Sequence, residues 1–164
     1  ISMITLIASL GLFLGLPLLL LFVFKSNAGI MFLASCSGLV LLDSLDPAVV
    51  STAGAIIPSE GEAYIRLAVV ILTMVFASML FKNSLKTSLL PLHILVIILL
   101  ASTLWLILPY TTGVSWLMEN TRNSTWQDLK EFKTLFVAGG ISMSLLVVML
   151  QQSKHSKHSK HSKR

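Results

Sequence analysis

Residues 4–24 read ITLIASLGLFLGLPLLLLFVF, with no charged side chain anywhere in the run. At 1.5 Å per residue such a helix is about 31 Å long, the thickness of a bilayer's hydrocarbon core. A surface helix of a soluble domain would carry polar residues along one face, and this run has no such face. It also exceeds the apolar region of a secretory signal, about 7 to 15 residues, and lacks a basic leading segment. The stretch therefore predicts a transmembrane helix from Met3 to Phe24, with lipid as its solvent. Because the chain opens on Ile1, the natural polypeptide is expected to begin upstream.

The same pattern recurs outward from this helix. Hydrophobic residues make up 55% of the 164 positions, charged residues 12%, and the mean hydropathy is +0.87. A soluble globule needs about 25% charged residues to coat its surface. The sequence thus predicts an all-α polytopic membrane helix bundle, with a transmembrane domain over 1–152 and a disordered Lys/His-rich tail over 153–164. The tail repeats Ser-Lys-His without one apolar residue, so it has nothing to bury.

Five spans are expected. After Met3–Phe24 comes Ala28 to Leu42, only 15 residues, or roughly 22 Å, so it spans only if it continues through Asp43 to Leu45 or packs where the mismatch is tolerated. Asp46-Pro47 then reads as an N-cap and first-turn pair opening a short interfacial helix to about Ile57. Ser59-Glu60-Gly61-Glu62 matches a capping box and starts a third span to about Phe81, with Glu62 and Arg66 one turn apart. A fourth span runs from Thr87 to about Leu108, closed by Pro109-Tyr110. Trp116 and Leu117, in the polar connection that follows, are expected to dip into the headgroups. Ser124 to Gln127 matches a second capping box, predicting one last helix from Thr125 to about Gln151. Along its first turns Trp126, Leu129, Phe132 and Phe136 form a single stripe.

Lysine and arginine near helix ends select the cytoplasmic side. With the tail inside, the inner face holds Lys25, Lys82, Lys86, Lys154, Lys157, Lys160, Lys163 and Arg164 and no acid. The outer face holds Arg66, Arg122, Lys130 and Lys133 against all seven acids. This predicts an N-terminus outside and a C-terminus in the cytoplasm. The competing four-span arrangement demotes the second segment and puts Lys25 and Lys82 on opposite faces.

Chemistry-bearing residues are few. Ser35, Ser37, Asp43 and Asp46 form a candidate polar pathway, since two carboxylates three residues apart at a helix end would hold a cation or share a proton. The plainer reading has Asp43 end a span and Asp46 cap the next helix, with Cys36 and Gly38 as packing residues. Gly11 with Gly15, and Gly140 with Ser144, are small-xxx-small pairs that let another backbone approach closely and are candidate helix-packing sites. His93 is the only histidine outside the tail, and it reads as a buried neutral imidazole with a hydrogen-bond partner. One membrane histidine excludes bis-histidine haem within the chain, and a single cysteine excludes an intrachain disulfide.

No P-loop, G-x-S-x-G, H-E-x-x-H or C-x-x-C occurs, so neither an enzyme nor a cofactor or resident metal is expected. His155, His158 and His161 would bind divalent metal only loosely. The partners expected are the bilayer, anionic lipid at the tail, and a membrane protein or a second copy of the chain, with no specific nucleic acid. Asn123-Ser124-Thr125 fits a glycosylation sequon.

Gly15-Leu16-Pro17-Leu18-Leu19-Leu20, Lys25-Ser26-Asn27-Ala28, a span closing on Asp43, Leu89-Leu90-Pro91, the Pro109 exit and the Lys-His tail together resemble small multi-span membrane proteins of candidate-phyla-radiation bacteria. The resemblance implies a bacterial plasma membrane and brings neither an activity nor site residues. On the residues themselves, the expected function is noncatalytic packing with a membrane partner or envelope assembly. The alternative is a small transporter or channel subunit working as an oligomer.

Overall fold

The computed structural model describes residues 3–56, 60–122 and 124–153. Among these every regular element is helical. The order is α1 (Met3–Phe24), α2 (Ala28–Ser44), α3 (Pro47–Gly54), α4 (Gly61–Leu80), a 3-10 turn (Thr87–Leu89) leading into α5 (Leu90–Thr112), the single turn α6 (Ser115–Met118), a second 3-10 turn (Glu119–Arg122), α7 (Ser124–Lys130) and α8 (Lys133–Ser153). The expected all-α bundle is what forms. Residues 154–164 of the tail, Ser59 of the first capping box and Asn123 of the sequon lie outside the described residues.

α1, α4, α5 and α8 are each long and apolar enough to cross a membrane, and α2 with α3 passes the same test as one unit bent by 99°. The bend follows from the sequence at the break. Leu45 leaves the helix in an extended conformation, and Asp46 Oδ1 accepts the Ala48 N–H at 2.9 Å with Pro47 in the first turn. α2 therefore stops and a freshly capped helix sets off at nearly a right angle to it.

Backbone ties show which helix ends lie together. Asn83 N–H donates to the Phe24 carbonyl at 2.9 Å and Leu85 N–H to the Lys25 carbonyl at 2.6 Å. Asn27 N–H donates to Ser84 Oγ at 2.9 Å. The C-terminus of α1, the N-terminus of α2, the α4–α5 hairpin and the end of α8 thus share one end of the bundle. At the other end, the Ser115 amide reaches Glu60 Oε2 at 3.2 Å, and Gly54 lies against Glu62, 2.7 Å separating the Glu62 nitrogen from the point a Gly54 Cβ would occupy. α1, α2, α4, α5 and α8 therefore run alternately up and down. Lys25 and Lys82 fall at the same end, as the five-span arrangement expects, and α2 with α3 leads from that end to the start of α4.

α5 is the centre. Half of its apolar window is buried, against 17–28% for the other three long spans. It packs on α1, α4, α2 and α8, while α1 also meets α4, α4 meets α2 and α2 meets α8. The four outer helices form an arc round α5 that stays open between α8 and α1. Lipid tails are as apolar as leucine, so no hydrophobic effect drives these helices together, and close packing must hold them. The small residues supply it. A Cβ on Gly38 would strike Thr73 Oγ1 on α4 and come within 3.3 Å of Val70 Cα, and one on Gly29 would come within 2.8 Å of the Ser144 carbonyl on α8.

Two boundaries differ from the sequence reading. α5 continues through Pro109 and ends at Gly113, whose φ of +74° is the left-handed conformation that only glycine adopts freely. Pro109 lacks an N–H to donate, but its carbonyl accepts the Gly113 N–H at 3.1 Å; proline costs less in a helix packed among neighbours than in water. The expected single C-terminal helix is two, broken at Glu131-Phe132. α7 covers the mixed-polarity segment, and α8 begins where the sequence turns continuously apolar. The break splits the predicted stripe: Trp126 is buried, while Phe132 is 54% exposed. Gln127 also ties α7 back to the preceding turn, its Nε2 donating to the Thr121 carbonyl at 2.6 Å. α3 ends at Gly54 rather than near Ile57, and Leu117, expected among the headgroups, is fully buried.

Candidate functional site

The four residues of the polar pathway do not converge. Ser35 is buried and donates to the Met31 carbonyl at 2.9 Å, while Ser37, two positions on and so on another face, is exposed and donates to Leu33 at 3.0 Å. Both hydroxyls are spent within their own helix, the usual fate of serine in such surroundings. Asp43 is exposed near the end of α2, eight residues or about 12 Å beyond Ser35. Asp46 is exposed and occupied as the α3 cap. Cys36 is half-buried and free. Among the described residues no three His, Cys, Asp or Glu side chains are grouped to hold a metal ion.

The two small-residue pairs part company. Gly140 and Ser144 are buried in the α8–α2 contact: a Cβ on Gly140 would overlap the Phe32 ring, and Ser144 donates to the Gly140 carbonyl at 2.6 Å. Gly11 and Gly15 are exposed on α1, with nothing within 4 Å of where a Cβ would stand.

The densest polar construction was not visible in the sequence. At the Lys25 end, the Asn27 side chain is fully buried and does two things. Its Oδ1 accepts the Gly29 N–H at 2.8 Å, capping α2, and its Nδ2 donates to Gln151 Oε1 at the far end of the chain. Gln151 Nε2 in turn donates to the Ser84 carbonyl at 2.8 Å, and Lys86 Nζ donates to the Gln151 carbonyl. His93, fully buried one turn into α5, accepts the Ala28 N–H on Nδ1 at 3.4 Å. That is the buried histidine the sequence predicted, partnered through Nδ1 while its Nε2 has no hydrogen-bond partner. The cluster joins α2, the α4–α5 hairpin, α5 and α8. The only sequence signals for it were an Asn one residue before an apolar run and a Gln pair closing the last one.

The opposite end is open. Glu60 at the N-cap of α4, with Glu62 and Arg66 on the helix, lines a shallow groove with Tyr110 to Gly113 at the end of α5, so Glu62 and Arg66 share a face as expected. Hydrogen bonds from Ser115, first its side chain and then its backbone N–H, hold the Glu60 carboxyl below its ordinary range. Beside this groove lies a cleft of about 430 Å³ between α5 and the α7–α8 break, lined by Leu106, Ile107, Tyr110 and Trp126 and by Lys130, Glu131 and Lys133 at the break.

A bundle of long apolar helices, tied by polar contacts at one end and open at the other, defines an integral membrane protein of the multi-span helical class. No protein-family model matches this chain, no curated protein matches it, and no solved structure matches it.

Proposed function

We propose that the chain is a noncatalytic scaffold of a bacterial plasma membrane, packing with a membrane partner, a second copy of itself or an envelope assembly. In this reading the Lys25, Lys82 and Lys86 end and the C-terminus face the cytoplasm. One observation carries the reading. The Gly140–Ser144 pair is consumed inside the bundle, whereas Gly11 and Gly15 leave open space on a face of α1 that also exposes Ile7, Leu14 and Phe22. Such a face admits another helix's backbone at close range.

The test is clean because a Cβ added at either glycine has nothing within 4 Å. Gly11→Ile and Gly15→Ile are expected to leave the bundle folded, by circular dichroism in mild detergent, and to abolish a cross-linked complex recovered from membranes. A complex of unchanged yield in both variants rejects this face as the docking surface. Asp43→Asn with Asp46→Asn is expected to leave the complex intact, since Asn caps a helix as well as Asp. Loss of ion flux in reconstituted vesicles carrying that double variant would favour the transporter reading instead.

A further inference from the structure

Two clefts lie along α5 and meet at Leu106. The outer one lies beside Tyr110, between α5 and the α7–α8 break. Leu106 belongs both to that cleft and to a second, narrower slot of about 270 Å³ that continues along α5 past Ser102 to Ile98, walled by Leu10 and Leu14 of α1 and Phe136 of α8. From Tyr110 to Ile98 is twelve residues, so about 18 Å of helix. One leaflet of hydrocarbon is about 15 Å deep. The groove is therefore the length of a single acyl chain, with its mouth at headgroup level.

Two further features point the same way. Lys130 and Lys133 stand at the mouth with one carboxylate, Glu131, leaving one excess positive charge there. The slot is walled in part by Trp105, only 6% exposed, whose indole Nε1 has no hydrogen-bond partner although its carbonyl is taken by Trp126 Nε1 at 3.3 Å. Buried indole N–H groups nearly always find an acceptor; this one is enclosed, so a lipid ester carbonyl reaches it only as the slot widens around the lipid.

We propose that this groove is a binding site for an anionic glycerophospholipid. Its phosphate sits at Lys130 and Lys133, and one acyl chain lies along Leu106, Ser102 and Ile98 between α1 and α8. The site borders the open Gly11–Gly15 face at Leu14 and uses none of the tail lysines.

The experiment uses the full chain carrying Trp116→Phe, leaving Trp105 and Trp126 as fluorescent reporters. It is reconstituted in phosphatidylcholine vesicles containing a minor fraction of either phosphatidylglycerol or phosphatidylcholine brominated on the acyl chain. Brominated phosphatidylglycerol is expected to quench as though enriched about five-fold at the site, the ratio one net positive charge gives at roughly 1 kcal/mol. Lys130→Gln alone should bring the two lipids to parity, Lys130→Gln with Lys133→Gln should reverse the preference because Glu131 remains, Glu131→Gln should widen it, and Ser102→Phe, which fills the slot, should reduce quenching by both. Equal quenching in the parent protein overturns the proposal. So does a preference that survives loss of both lysines, which would belong to the basic residues at the other end, or one that survives Ser102→Phe, which would mean annular lipid only. Helix content by circular dichroism accompanies each variant.

Discussion

At the scale of single residues, Asn27 does more than its place in a three-residue turn suggests. Asn27→Ala removes both the α2 cap and the bond to Gln151. The cap is worth about 1 kcal/mol and an interhelical bond in a membrane about as much, so a loss of about 2 kcal/mol is expected from reversible unfolding in detergent. Asn27→Asp keeps the capping oxygen but turns a carboxylate oxygen toward Gln151 Oε1 in a fully buried site, so it should cost at least as much as the alanine. The adjacent glycines of α8 give a second contrast. Gly140→Ala drives a methyl into the Phe32 ring and should destabilise by about 1–3 kcal/mol, while Gly139→Ala enters open space and should stabilise by up to about 1 kcal/mol through helix propensity. The sequence exposes the Gly140–Ser144 spacing but not which of two such pairs is buried. That depends on a phenylalanine more than a hundred residues earlier, and no local pattern encodes the pairing.

At the scale of elements, the helix starts and ends that local chemistry controls were readable: the Asp46-Pro47 start of α3, the end of α1 at Lys25, the hairpin at Lys82 to Lys86. What failed were boundaries decided by neighbours. Pro109 stays helical because α5 is packed on all but one side, and the α7–α8 break arises where the chain passes from an interfacial segment to a span. The tie between α4 and α6 is expected to depend on pH. Ser115 lowers the Glu60 pKa in the folded protein, so the contribution is present above the ordinary carboxylate range and fades as pH falls through the lowered value. Hydrogen exchange of the Ser115 amide should therefore quicken in acid, and Glu60→Gln should flatten that response.

At the scale of the whole molecule, five alternating passes put the described ends of the chain at opposite ends of the bundle. Lys25→Cys and Lys82→Cys are expected to react with a membrane-impermeant maleimide from one side of sealed vesicles, and Asp46→Cys and Glu119→Cys only from the other. Labelling of Lys25→Cys and Lys82→Cys from different sides would reject the five-pass arrangement. That four long apolar runs are helices able to cross a membrane was legible from hydropathy, and the sidedness was inferred from charge. The arc round α5 was not, because apolar runs look alike whichever neighbour they face. The long reach of the Asn27–Gln151 bond, across 124 residues, has a consequence for biogenesis. Until the ribosome has released the final helix, the nascent polypeptide carries an unsatisfied amide and a bare Phe32 surface in the bilayer, a natural mark of incompleteness for quality-control proteases. A chain truncated before Lys133 is expected to insert yet be degraded faster than the full chain in a pulse-chase, and restoring residues 133–153 as a separate segment should slow its turnover.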